Sequence, residues 1–210
     1  MPINNPWPYY RMTVKEILSV RSFIEFTTDN AKSHGQKFSE LIILMGVEIE
    51  TLLRGYAGSS KSRPNMNDYK SAMNDRCPGV INIQIRSLHY DTEKVRQPFP
   101  HLSQNDSYDW WDTYTGLKHD RYLNSKSATL ENTFIVLAAY FAVAMIASHE
   151  DSSLFDQGQR VGGFFTDFEH RLAESNRAFS GGIDYLNATP QWRPSTGIFG
   201  KPPGINSEVQ

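Results

Sequence analysis

The sequence predicts a mainly α-helical protein, an antiparallel helical bundle with a small strand or hairpin near 80–90. Three observations carry this. Apolar residues recur at three- and four-residue steps over residues 38–54, the period of one helix face. Residues 133–147 form the longest apolar run of the chain, within a helix expected over 129–147, the length of a core helix. Alternation with a period of two is confined to residues 80–90, where Val80, Ile81, Ile83 and Ile85 are interleaved with Asn82, Gln84 and Arg86. At 210 residues, 39% hydrophobic and 21% charged, the chain has the size and composition of one globular domain. A chain of this length buries roughly 70% of its unfolded surface, enough for a core without disulfide or metal staples.

In chain order, residues 1–12 carry Pro2, Pro6 and Pro8 among aromatics and read as an extended arm. A single helical domain is expected over 13–179. It opens at Thr13, which with Glu16 has the form of a capping box, followed by Val14, Ile17, Leu18 and Arg21. The second helix, 38–54, has Ser39 as its expected N-cap and a stripe of Leu41, Leu44, Met45, Glu48, Ile49 and Leu52. Glu48 is conspicuous there, because an unpaired carboxylate in an apolar stripe is costly to bury. Residues 55–67, rich in Gly, Ser, Lys and Arg, read as a loop, and 68–76 as a short helix stopped by Pro78 and Gly79. Residues 108–117 are the next helix. Ser127 is the candidate cap of the apolar helix at 129–147, and a charged helix interrupted by Gly158, Gly162 and Gly163 is expected over 154–177. Residues 180–210, rich in Gly and Pro, read as a loosely held tail.

Composition excludes several classes. Cys77 is the only cysteine, so neither an intramolecular disulfide nor a cysteine-based zinc cluster is available. The first ten residues have no apolar run of the secretory kind. The apolar core of the longest helix, 133–147, falls short of the roughly 20 residues that span a bilayer. A cytoplasmic protein without a membrane contact is the expectation. A net charge of −2 argues against an extended phosphate-neutralising surface but leaves room for a local site for RNA or a nucleotide. Gly55, Gly58 and Lys61 lack the spacing of a phosphate loop, and no G-x-S-x-G elbow is present. The six histidines show no HExxH spacing, and His149-Glu150-Asp151 and Asp167-x-Glu169-His170 read as polar helix ends. No metal and no cofactor are expected.

The segment with chemical content is Trp110-Trp111-Asp112-Thr113-Tyr114-Thr115-Gly116-Leu117-Lys118-His119-Asp120-Arg121. On a helix, Trp111, Tyr114 or Thr115, and Lys118 fall on one side, with Arg121 three residues further; Trp110, Tyr114, Leu117 and Arg121 make the neighbouring row, and His119 lies apart from both. Aromatic groups then anchor the helix while Lys118, His119 and Arg121 emerge at its C-terminal end, where the macrodipole favours cations by about 0.3–1 kcal/mol each. Two readings follow. Arg121 and Lys118 can hold a phosphate while His119 exchanges protons, the set needed to cleave RNA through its 2′-hydroxyl without a metal. Glu48 would orient one of the cations, with Asp112 as the alternative and Tyr114 beside them. Alternatively the aromatic helix is core and the cations are a solvated helix end.

The pattern W-W-x-x-Y-x-x-x-K-H-x-R at Trp110 to Arg121, followed by Ala128-Thr129-Leu130-Glu131-Asn132 and an Ala-rich apolar helix, resembles bacterial helical proteins of the HEPN-like superfamily. Phe38-Ser39-Glu40-Leu41 leading to Glu48-Ile49-Glu50, and Pro98-Phe99 ahead of the tryptophan pair, fit the same resemblance, which spans residues 38–147. It implies an antiparallel helical bundle, frequently a homodimer, with members among the ribonucleases of antiviral defence and toxin–antitoxin systems and others that are not catalytic. The ribonuclease signature of that superfamily is an Arg, four to six residues, then a His on or near a helix. Arg96-Gln97-Pro98-Phe99-Pro100-His101 has the spacing, but its prolines exclude a helix. Lys118-His119-x-Arg121 has the residue types in reverse order. The resemblance thus implies either an RNA-binding or RNA-cleaving protein, or a non-catalytic dimeric module that binds a partner protein.

Overall fold

The computed structural model describes residues 5–57, 64–76, 84–87, 95–100, 106–148 and 183–186. They form a mainly helical fold with five α-helices among them: α1 (Trp7–Ser19), α2 (Gln36–Ala57), α3 (Met66–Arg76), α4 (Asp109–His119) and α5 (Leu130–Ser148). Three short strands, β1 (Gln84–Ser87), β2 (Val95–Arg96) and β3 (Ile183–Leu186), make an antiparallel sheet in the order β2-β1-β3. The alternation near 80–90 therefore marks a central strand, with Ile85 buried beneath it. The helix expected over 154–177 lies outside the described residues.

Helix α5 is the axis of the fold. From Val136 to Ala147 every residue is buried. By length and composition it is apolar enough to cross a membrane, yet 83% of that apolar stretch is covered by the protein itself, which makes it a core helix. Its first N–H groups find acceptors: Leu130 N donates to Ser33 O, Glu131 N to Ala31 O, and Asn132 N to Thr129 Oγ1 at 3.1 Å. Thr129 is thus the cap, two residues beyond the expected Ser127, which sits in the 3₁₀ turn Ser125–Ser127.

Helix α2 packs on α5 and also meets α1, α3 and α4. Leu41, Ile42, Met45, Ile49 and Leu53 are its buried face. Ser39 lies inside the helix and donates its hydroxyl to Gly35 O at 3.4 Å, so it is not the N-cap.

The N-terminus corrects the sequence reading. Residues from Trp7 onward are helical, not an extended arm, and Thr13 is in the second turn of α1, bonding back to Tyr9 O at 3.0 Å instead of opening a capping box. Pro6 occupies the N-cap and Pro8 the first turn, where the missing N–H costs nothing. Asn5 Oδ1 accepts the Trp7 N–H at 3.0 Å. The helix then buries Trp7 and Tyr10 against α5, with Tyr10 and Tyr140 rings edge-to-face at 5.3 Å.

Candidate functional site

Helix α4 begins where Tyr108, in an extended conformation, accepts the N–H groups of Trp111 and Asp112 through its carbonyl. Asp109 and Asp112 occupy the first turn, where the helix dipole favours a negative charge. Of the expected row, Trp110, Tyr114 and Leu117 are the buried face, whereas Arg121 lies past the end of the helix and is exposed. Around it runs a chain of ring contacts. Phe99 meets Tyr108 at 5.2 Å and Trp110 at 5.9 Å, Trp110 meets Trp111 at 5.8 Å, and Trp111 bridges to Tyr114 at 5.5 Å and Tyr69 at 6.0 Å. The Trp110 indole donates to Pro98 O at 2.9 Å, which fixes the Pro98-Phe99 segment onto the helix. Burial pushes the Tyr108 hydroxyl up to about 12.

Tyr114 makes a close contact between α4 and α2. Its ring lies over Gly46, and its hydroxyl donates to Glu50 Oε2 at 2.8 Å, one turn further along α2. Lys118, one turn further along α4, reaches the same Glu50 oxygen at 2.9 Å and the Tyr114 hydroxyl at 3.0 Å. The other Glu50 oxygen accepts Arg54 at 2.7 Å. Burial alone would raise the Glu50 carboxyl, but the hydrogen bonds from Lys118, Tyr114 and Arg54 outweigh it and hold the pKa below its ordinary value. The bonds to Tyr114 and Glu50 hold the Lys118 ammonium above its ordinary value.

The carboxylate that holds a cation of α4 is therefore Glu50. No hydrogen bond joins Glu48, the residue expected in that role, to Lys118, His119 or Arg121 among the described residues. Glu48 and Glu50 are two positions apart, roughly 200° around the helix, and the row of Gly46 and Glu50 is the one that meets Tyr114 and Lys118 of α4. Glu48 is half-buried, and burial raises its carboxyl above the ordinary range. Its charge adds to the effect of burial in raising the Tyr140 hydroxyl.

His119 closes α4, and Arg121 follows it in the turn. Both are exposed, as is Asp112. Among the described residues no hydrogen bond or ion pair links His119 or Arg121 to Lys118, or His119 to Asp112. The structure thus brings together Lys118 and Tyr114 of the expected residues, adds Glu50 and Arg54 to them, and leaves His119, Arg121 and Asp112 outside that network.

The chain then folds back on α4. Asn124 donates through Nδ2 to Gly116 O at 3.0 Å and Asp120 O at 2.8 Å. Asp120 Oδ1 accepts the Leu123 N–H at 2.9 Å. Arg96, with the proline-interrupted spacing to His101, is on β2, its buried guanidinium paired with Glu131 at 2.9 Å and lying 5.4 Å from the Phe134 ring centre. His101 lies outside the described residues. A cleft of about 230 Å³ beside this pair is lined by Pro98, Pro100, Asp109, Trp110 and Ile135. Among the described residues no group of three or more His, Cys, Asp or Glu is placed to hold a metal.

No family model, curated protein or solved structure matches this chain.

Proposed function

We propose that this chain is a non-catalytic, HEPN-like helical module that binds a partner protein, working in the cytoplasm as a homodimer in a defence or toxin–antitoxin setting. The observation that carries this reading is the engagement of Lys118. Its ammonium is held 2.9 Å from Glu50 and 3.0 Å from the Tyr114 hydroxyl, so its charge is already matched across the α2–α4 contact. A phosphate held jointly by Lys118, His119 and Arg121 would compete with Glu50 for the first of them. The aromatic helix has a sufficient role as core, since Trp110, Tyr114 and Leu117 are buried.

A second reading, RNA binding or cleavage without a metal, is favoured by one observation: His119, Arg121 and Tyr122 are exposed in one short stretch. There His119 would serve as acid or base and Arg121 would hold phosphate, with Tyr122 offering a stacking face.

Incubation of the purified full-length protein with a labelled RNA in the absence of metal, beside His119→Ala, separates the two. We expect no cleavage by either protein. Cleavage by the wild type that is lost in His119→Ala, with stability unchanged to within about 1 kcal/mol, would overturn the non-catalytic reading in favour of the ribonuclease.

A further inference from the structure

We infer that the turn at 119–123 is a docking surface for a partner segment that is both acidic and apolar; this rests on the interaction-module reading and names the partner's chemistry. The apolar half of the case is exposure. Tyr122 is 89% exposed and Leu123 76% exposed, adjacent to each other. Large apolar side chains side by side in water are a common mark of an interaction site, and aromatic residues and Arg are enriched where binding energy concentrates.

This exposure belongs to a tightly bonded turn. Asp120 N donates to Gly116 O at 2.9 Å and Asn124 N to Asp120 O at 3.1 Å. Asn124 Nδ2 ties both of those carbonyls, Asp120 Oδ1 takes the Leu123 N–H, and Ser125 Oγ donates to Tyr122 O at 3.0 Å. Gly116 leaves room for the Asn124 side chain, since a Cβ there would lie 3.2 Å from its Cγ and Oδ1, tight by a few tenths of an ångström. Tyr122 and Leu123 are therefore presented on a backbone fixed before any partner arrives, which lowers the ordering cost of association.

The electrostatic half is local. Residues 118–126 carry Lys118, Arg121 and Lys126 against Asp120 alone; Lys118 is matched by Glu50, and one Asp120 carboxylate oxygen accepts the Leu123 N–H. His119, Arg121 and Lys126 are exposed. Arg121 and Lys126, which flank the apolar pair along the chain, are complementary to carboxylates flanking an aliphatic or aromatic residue. RNA is the poorer occupant: Leu123 offers no stacking face, and the chain as a whole has a net charge of −2.

The experiment is selection of a random-peptide display library on the immobilised full-length protein, followed by fluorescence anisotropy with the enriched peptide. The same titration is run on Tyr122→Ser/Leu123→Ser and on Arg121→Glu. We expect enriched peptides with Asp or Glu beside Leu, Ile or Phe, and binding weakened about 10-fold or more by each variant, with the melting temperature of each variant unchanged because the altered side chains are exposed. A peptide with its acids changed to Lys should regain affinity for Arg121→Glu. The proposal is overturned by no enrichment, by enriched peptides that are basic or uncharged, or by binding indifferent to both variants. It is equally overturned if the turn variants turn a dimer into a monomer, which makes a second copy the occupant, or if oligouridylate binds and Tyr122→Ser abolishes it. RNA cleavage that depends on His119 sinks the non-catalytic reading as well, whereas absence of both cleavage and peptide enrichment sinks only this inference.

Discussion

Tyr114 of α4 packs directly on the backbone of Gly46 in α2: a Cβ added to Gly46 would lie 2.1 Å from Tyr114 Cδ2 and 2.3 Å from Cγ. Cγ is the root of the ring, so the clash cannot be relieved by moving a flexible tip. Two opposed effects then decide Gly46→Ala. Helix propensity favours Ala by about 1 kcal/mol, while overpacking a filled site costs about 1–3 kcal/mol. The second wins here because Tyr114 is buried and tied at its hydroxyl. Urea denaturation of Gly46→Ala should show a net loss of stability, and a gain would mean that the two helices are further apart.

Glu50 makes stability depend on acid in a defined direction. Its pKa in the folded state is lowered from 4.5, so its contribution is complete above the unfolded value and disappears as the pH falls through the folded one. Melting temperatures of wild type and Glu50→Gln should differ at pH 7, with wild type higher, and should converge below pH 4.5. Because Lys118 and Arg54 are half-exposed, the gap at neutral pH should be modest, about 1 kcal/mol. A gap that stays constant into acid would show that packing, not charge, is what Glu50 supplies.

Glu48 should behave oppositely. Burial raises its folded pKa, so the fold prefers the neutral acid, and that preference is fully expressed below the unfolded pKa and lost as the pH rises through the folded one. Glu48→Gln should therefore raise the melting temperature at pH 7, with the advantage shrinking in acid. A variant less stable than wild type at neutral pH would reveal a hydrogen bond to the ionised Glu48.

The Arg96–Glu131 pair is deeper, with the Arg96 side chain only 4% exposed and that of Glu131 19%. Removing one member leaves the other charge in a poorly solvated place, at a cost of about 3–5 kcal/mol for a fully buried pair. Arg96→Met should approach the lower end, and Arg96→Met/Glu131→Leu should recover part of it. Chemical denaturation of both variants checks this, and a double variant worse than the single would point to other bonds made by Glu131.

Much of the fold was legible because helices α2, α4 and α5 carry their burial pattern in their own sequence. The row of Trp110, Tyr114 and Leu117 is buried as its spacing predicts, and Ile85 marks a strand. The start of α1 was not, since prolines at 6 and 8 suit an extended arm and a helix N-terminus equally. Only the packing of Trp7 and Tyr10 on α5 decides between them. The network around Lys118 was legible in part. Tyr114 and Lys118 are four apart, but Glu50 is 64 residues from one and 68 from the other, and which row of α2 faces α4 is a tertiary matter. Gly46, a lone glycine in a strong helical pattern, was the available signal.

The burial of α5 on every side from Val136 to Ala147 has a consequence for how uniquely the fold is specified. A helix with one apolar face is told by that face which way to turn, but α5 is apolar all round from Phe134 to Ala147 and could rotate about its axis with little change in transfer energy. Its angular setting must then come from its polar N-terminal turn, where Leu130 and Glu131 are indexed to Ser33 and Ala31 and the Glu131 carboxylate to Arg96. Loosening that end should release rotational disorder first, leaving a compact, helical but non-unique interior.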